Sequence, residues 1–243
     1  MRKALLSTVA SLAMILPIHA YAAQVDQAGA DQIKDKLTYY LPKDIVDTGF
    51  LKVTPGTNRY ELSVDFMPFL KDVKPDEFTI NGLKPFIHYL TPQDDGQWKV
   101  EVNDHFDVNG HFTESGKKQD FTYKIDSIVF DGLFDPSISY FSTGKYDLKK
   151  ANLGVTGGDT NIKMTVDHMG ADMKGEKVAE GIVDLTGSMS MTNFVETINE
   201  ASGNVVNISA DSMSGTIEFK RLGVNPLRDL LVFGLDLIKA DVK

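Results

Sequence analysis

The chain has 243 residues, a formal net charge of −9, 42% hydrophobic residues and no cysteine. Without cysteine there is no disulfide framework, thiolate nucleophile or zinc–thiolate site, and the acidic balance disfavours nucleic acid and anionic headgroups as electrostatic partners. A domain of this length without disulfides must be held by a large apolar core.

At the start, Arg2 and Lys3 precede an uncharged apolar run from Ala4 to Ile18, and Ala20-Tyr21-Ala22 places small residues where signal peptidase needs them. The run is shorter than the ~20 residues of a membrane span, and Pro17 ends a helix there. The expectation is a signal peptide over 1–22 and one β-rich exported domain over 23–243, in the periplasm of a Gram-negative bacterium, with no transmembrane segment in the mature chain.

From Val25 to Leu41 the apolar residues Ala30, Ile33, Leu37 and Leu41 recur at helical spacing, and Pro42 stops the helix. The period then changes to two. Tyr60, Leu62, Val64 and Phe66 alternate with Glu61, Ser63 and Asp65, which describes a half-buried antiparallel strand. Pro55-Gly56 is the turn leading into it. "HYLTPQDDGQWKVEV" reads as a hairpin around Asp95-Gly96, and Asn109-Gly110 reads as the turn of a second hairpin. Asp120 to Asp131 is a further strand, followed by a turn in "FDPSISYF".

Beyond Asn161 the alternation lengthens and gains methionine: Ile162, Met164, Val166 and His168, then Gly181, Val183, Leu185, Gly187, Met189 and Met191. Asn193 to Glu200 reads as one or two helical turns. The next strand alternates through Val206, Ile208 and Ala210, then slips phase to Met213, Gly215, Ile217 and Phe219, which predicts a bulge near Asp211-Ser212.

The closing stretch "NPLRDLLVFGLDLIKADVK" opens on Asn225 as N-cap and Pro226 at the first helical position. Leu227, Leu230, Leu231, Leu235 and Ile238 form its apolar stripe. Hiding such a stripe at ~25 cal/mol per Å2 is worth on the order of 10 kcal/mol before entropy. The whole reads as an α+β fold: a large curved antiparallel β-sheet with an N-terminal and a C-terminal amphipathic helix.

Chemistry-bearing motifs are scarce. "NDHFDVNGHFTE" gathers Asp104, His105, Asp107, His111 and Glu114, a set whose imidazoles and carboxylates suit a divalent metal if Asn109-Gly110 folds them together. Aligned as a calcium loop it fails, since His105 and Gly116 fall where carboxylates are required. There is no G-x-S-x-G elbow, and "TGGDTN" lacks the lysine and the following helix of a phosphate loop. The reading is therefore not an enzyme and implies no cofactor.

Six methionines lie between Met164 and Met213, mostly on the apolar phase of their strands. Methionine is flexible and polarizable, and suits surfaces that fit several apolar partners. An apolar ligand-binding face is expected from Met164, Met189, Met191 and Met213, with Leu231 and Leu235 of the closing stretch. Its partner would be a lipid or an envelope protein. The alternatives are a metal-binding protein or metal-dependent hydrolase at His105 and His111, and a purely structural envelope component.

Several stretches, "YYLP", "DTGFLKVTPGTNRYELSVDF", "LTPQDDGQWKV", "VFDGLFDPSISYF" and "LRDLLVFGLDLI", together resemble an uncharacterised family of exported alphaproteobacterial proteins defined as a domain of unknown function. The resemblance covers most of 23–243 and supplies no catalytic residues. It implies that members continue past the final apolar stretch, so that the domain is incomplete at its C-terminus here. A looser similarity, at the level of fold, is to the AsmA-like envelope proteins, whose long curved sheets handle lipids.

Overall fold

The computed structural model describes residues 25–38, 41 and 43–223. The expected signal peptide and the closing apolar stretch lie outside the described residues. Helix α1 (Gln27–Thr38) and the single turn α2 (Lys43–Val46) precede ten strands. These are β1 (Leu51–Pro55), β2 (Tyr60–Val64), β3 (Phe78–Asn81), β4 (Phe86–Pro92) and β5 (Trp98–Glu114), then β6 (Lys117–Asp135), β7 (Tyr140–Thr156), β8 (Thr160–Ala179), β9 (Ile182–Glu200) and β10 (Val205–Gly223). All pair antiparallel in one sheet, in the order β1-β2-β4-β5-β6-β7-β8-β9-β10, with β3 beside β5. The path does not return to β1, so the sheet is open.

Helix α1 begins where Asp26 Oδ1 accepts the Gly29 N–H at 2.8 Å, an N-cap that satisfies one of the orphan donors of the first turn. Ala30 and Ile33, the two residues on its apolar stripe nearest this start, are fully buried. They pack on Leu51, Val53, Tyr60, Leu62, Leu90, Trp98, Val100, Phe134 and Phe141, the main core of the protein. Gly29 is required there, because a Cβ would sit 2.1 Å from the Tyr60 hydroxyl.

Two sequence expectations fail here for reasons the neighbours explain. Asn109-Gly110 is not a turn: β5 runs straight through it for 17 residues. Gly110 is small because β3 lies against it, and a Cβ would come 1.9 Å from the Thr79 carbonyl oxygen. The hairpin turn falls instead at Ser115 and Gly116, both at positive φ (54° and 76°), between the paired Glu114 and Lys117. Asn193 to Glu200 is not helical either. It is the second half of β9, where Phe194, Glu196 and Ile198 continue a period-two pattern in a shifted phase.

That shift is not confined to one strand. In β6 the inward phase passes from Phe121, Tyr123 and Ile125 to Ile128 and Phe130; in β7 from Tyr146 and Leu148 to Ala151 and Leu153; in β8 from Met164 and Val166 to Met169 and Ala171. In β9 it passes from Met191 to Phe194, and in β10 the sequence slips from Ala210 to Met213. The slips are aligned. Ser127 pairs with Lys149, Lys149 with His168, His168 with Thr192 and Thr192 with Ser212. Beside that row lie Asp126, Lys150, Asp167, Asn193 and Asp211, all exposed, with Lys150 and Asn193 in the left-handed region (φ 54° and 50°). A polar crease thus crosses β6 to β10. The bulge expected near Asp211-Ser212 is the last segment of this crease, and the β9–β10 register is unchanged across it. The true register shift of that pair comes later, between Phe219 and Leu222, where the Arg221 N–H donates to Asp184 Oδ1 at 2.7 Å.

Candidate apolar binding face

The crease keeps apolar side chains on one face on both of its sides, and the pairing lines them up in rows across the strands. One row runs Ile128–Leu148–Met169–Met191–Met213. The next runs Phe130–Tyr146–Ala171–Met189–Gly215, and the third Gly132–Gly144–Met173–Gly187–Ile217. Beyond the crease, Leu153, Met164, Glu196 and Ile208 stand in one row, by the pairing of Leu153 with Met164, Met164 with Glu196 and Glu196 with Ile208.

Exposure rises along each row toward β10. Leu148 and Val166 are buried, Met169 and Met191 are half-buried, and Met189 and Met213 are 56% and 46% exposed. Ile217 and Phe219 reach 61% and 52%. Among the described residues nothing packs over this part of the face. The glycines deepen it: a Cβ at Gly144 would meet Met173 Cγ at 2.8 Å, whereas one at Gly215 would meet nothing within 4 Å. The surface is therefore filled near the centre and open at the edge.

Of the expected ligand-binding residues, Met191 and Met213 face each other in one row and Met189 lies in the adjoining row. Met164 stands apart, across the crease. Leu231 and Leu235 lie outside the described residues. Sequence reading did not single out Leu148 and Met169, which complete the Met191 row, nor Ile217 and Phe219, the most open part of the face. The signal was present in the phase slip of β10, which moves Ile217 and Phe219 onto the same face as Ala210.

Ionisable groups on this face are few. Burial raises the phenols of Tyr123 and Tyr146 above their ordinary value, and for Tyr146 the neighbouring Tyr123 adds to the effect. Burial lowers His88, opposed by the nearby Asp104 carboxylate. Its Nδ1 has no hydrogen-bond partner, and neither has Trp98 Nε1. On the opposite, polar face His168 Nε2 lies 2.7 Å from Asp147 Oδ2, and this contact holds the Asp147 carboxyl below the usual carboxylate range.

The alternative metal site is taken apart by the same strand that overturned its turn. His105 and His111 lie on β5 six positions apart, about 20 Å at ~3.3 Å per residue. His111 Nδ1 lies 2.8 Å from the Thr79 hydroxyl, and Asp107 faces Lys124 at 3.9 Å. Glu114 accepts from Gln119 Nε2 at 3.2 Å. Among the described residues no three His, Asp or Glu side chains are placed to hold a metal ion.

These features define a class: an open antiparallel sheet with one mainly apolar face, interrupted at Glu196, sealed at one end and bare at the other. No family model, curated protein or solved structure matches the chain, so the functional reading rests on this geometry. No helix among the described residues is long and apolar enough to cross a membrane.

Proposed function

We propose that this is a non-enzymatic binding protein of the bacterial periplasm that takes an apolar ligand, a lipid acyl chain, on the sheet face formed by Met169, Met191, Met213 and Met189. The observation that supports this most is the row Leu148–Met169–Met191–Met213, which runs from the core to the open edge without a polar side chain. Monomeric proteins leave contiguous apolar surface of this kind bare mainly where something binds. Methionine side chains adapt to a flexible chain better than branched ones do. The amino-terminal pattern of basic residues, apolar run and Ala20-Tyr21-Ala22 supports export.

The test is binding of a fluorescent fatty acid to the full chain. Met189→Glu with Met213→Glu places two charges at the exposed edge of the face, in adjoining rows rather than directly opposite one another. The expected result is loss of saturable binding with sheet content unchanged. Binding equal to that of the unaltered protein would overturn the proposal.

A further inference from the structure

The two edges of the sheet are built differently. At one edge β1 is five residues long, carries Lys52 on its exposed phase and ends on Pro55, which has no N–H to offer. At the other, β10 runs for 19 residues without a proline, and every residue from Asp211 to Arg221 is exposed. Among the described residues only β9 pairs with it. Its outward N–H and C=O groups therefore form a template for another strand. Charge favours a second copy as that strand. The chain as a whole carries −9, whereas β10 balances two acids, Asp211 and Glu218, against two bases, Lys220 and Arg221. A neutral edge is where two acidic copies approach with least repulsion. We propose that the protein is a dimer in which β10 pairs antiparallel with β10 of a second copy, about a twofold axis at Thr216.

Side-chain matching fixes the axis. In a symmetric antiparallel pair each residue faces the one equally far from the axis on its other side. About Thr216, Gly215 faces Ile217, Met213 faces Phe219, Ser214 faces Glu218, Ser212 faces Lys220 and Asp211 faces Arg221. Apolar residues meet on one face, polar residues meet on the other, and each end closes on opposite charges. Moving the axis by one residue spoils the match. About Gly215 it sets Asp211 against Phe219, and about Ile217 it sets Met213 against Arg221. Axes at Asp211 and at Glu218 put like charges directly opposite. Paired over 211–221, the two strands exchange about ten backbone hydrogen bonds. Pairing at the edge leaves the apolar face uncovered, and the row that ends at Met213 continues into Phe219 of the second copy. The dimer edge and the ligand face are different surfaces, so either stands without the other.

The absence of native cysteine makes the test direct. With Thr216→Cys in the full chain, the two thiols meet across the axis on the polar face. Ser214→Cys is the control, since its two copies stand four residues out of register, about 13 Å apart at ~3.3 Å per residue. Under mild oxidation Thr216→Cys is expected to form a covalent dimer at least about tenfold faster than Ser214→Cys, as held neighbours do. Equal rates would overturn the proposal. Sedimentation velocity at micromolar concentration gives a second readout that needs no cysteine variant. The unaltered protein is expected at twice the chain mass. Thr216→Glu, which sets two carboxylates face to face, is expected at the single mass with sheet content unchanged. A monomeric unaltered protein would overturn the proposal, and so would a dimer that survives Thr216→Glu. Neither readout involves a ligand, so a failure here leaves the fatty acid reading standing.

Discussion

The two ends of the sheet are written in the same alphabet and differ in burial. Phe134 lies under α1 and is 1% exposed, whereas Phe219 lies on the same face of β10 and is 52% exposed. Both sit in strands that alternate apolar and polar residues, and both have aliphatic or aromatic neighbours across the ladder. The difference lies above the sheet: Ala30 and Ile33 of α1 join the core that holds Phe134, while among the described residues nothing encloses Met189, Met213, Ile217 and Phe219. Strand pattern decides which face is apolar, and a covering element decides whether that face is core or surface.

The sharpest way to break this comparison is to truncate one phenylalanine at each end. Phe134→Ala should lower stability by about 3–5 kcal/mol, as for a fully enclosed aromatic side chain, whereas Phe219→Ala should stay within about 0.5 kcal/mol in the absence of a covering element. Urea midpoints at constant slope provide the measurement. A large loss at Phe219 would contradict the reading of this edge as bare.

Glycines sharpen the contrast next. Gly110→Ala drives a Cβ into the Thr79 carbonyl and should cost about 1–3 kcal/mol as β3 is displaced from β5. Gly215→Ala, which meets nothing, should be neutral or stabilise by about 0.5 kcal/mol.

The crease comes third. Lys150 and Asn193 hold left-handed backbone that a β-branched residue strains, so Lys150→Val or Asn193→Val should cost about 1–2 kcal/mol. The glycine variants at the same positions should be neutral or better. If valine were tolerated at both, the crease would not be a fixed feature of the sheet.

The smallest effect is one of pH. Burial holds the folded-state pKa of His88 below its ordinary value of 6.5. The unfolded chain therefore takes up a proton near pH 6.5 while the folded one does not. Stability falls as pH drops through that value, and this loss levels off below the folded pKa. His88→Phe suits the apolar face and removes an unpartnered buried nitrogen. It should flatten the stability profile between pH 7 and pH 5, read from urea midpoints across that range. An unchanged profile would place the acid sensitivity elsewhere.

Much of this architecture was legible from the residues. Alternation in Tyr60–Phe66 and from Ile162 onward marks the strands, the Asp95-Gly96 hairpin is present, and Ala30 and Ile33 bury as their helical spacing implies. What misled was local chemistry answering to a non-local neighbour. Asn109-Gly110 has the composition of a turn, yet Gly110 is there for a strand that arrives from 30 positions earlier in the chain, at Ile80. Asn193 looks like a helix start because it carries the left-handed kink of the crease. The aligned slips in five strands could be seen one at a time, and one was, at Asp211-Ser212. Their alignment depends on register, which no single strand encodes. The methionine face was readable as a face, while the gradient of exposure along it depends on which strands contribute to the buried clusters, which only the pairing reveals.

The claim that the open apolar face is a binding surface is tested most directly by native mass spectrometry of the full chain, exported to a periplasm and purified without detergent. The account predicts a reproducible adduct of lipid mass that is lost in the Met189→Glu, Met213→Glu variant. A bare polypeptide mass under those conditions would contradict it.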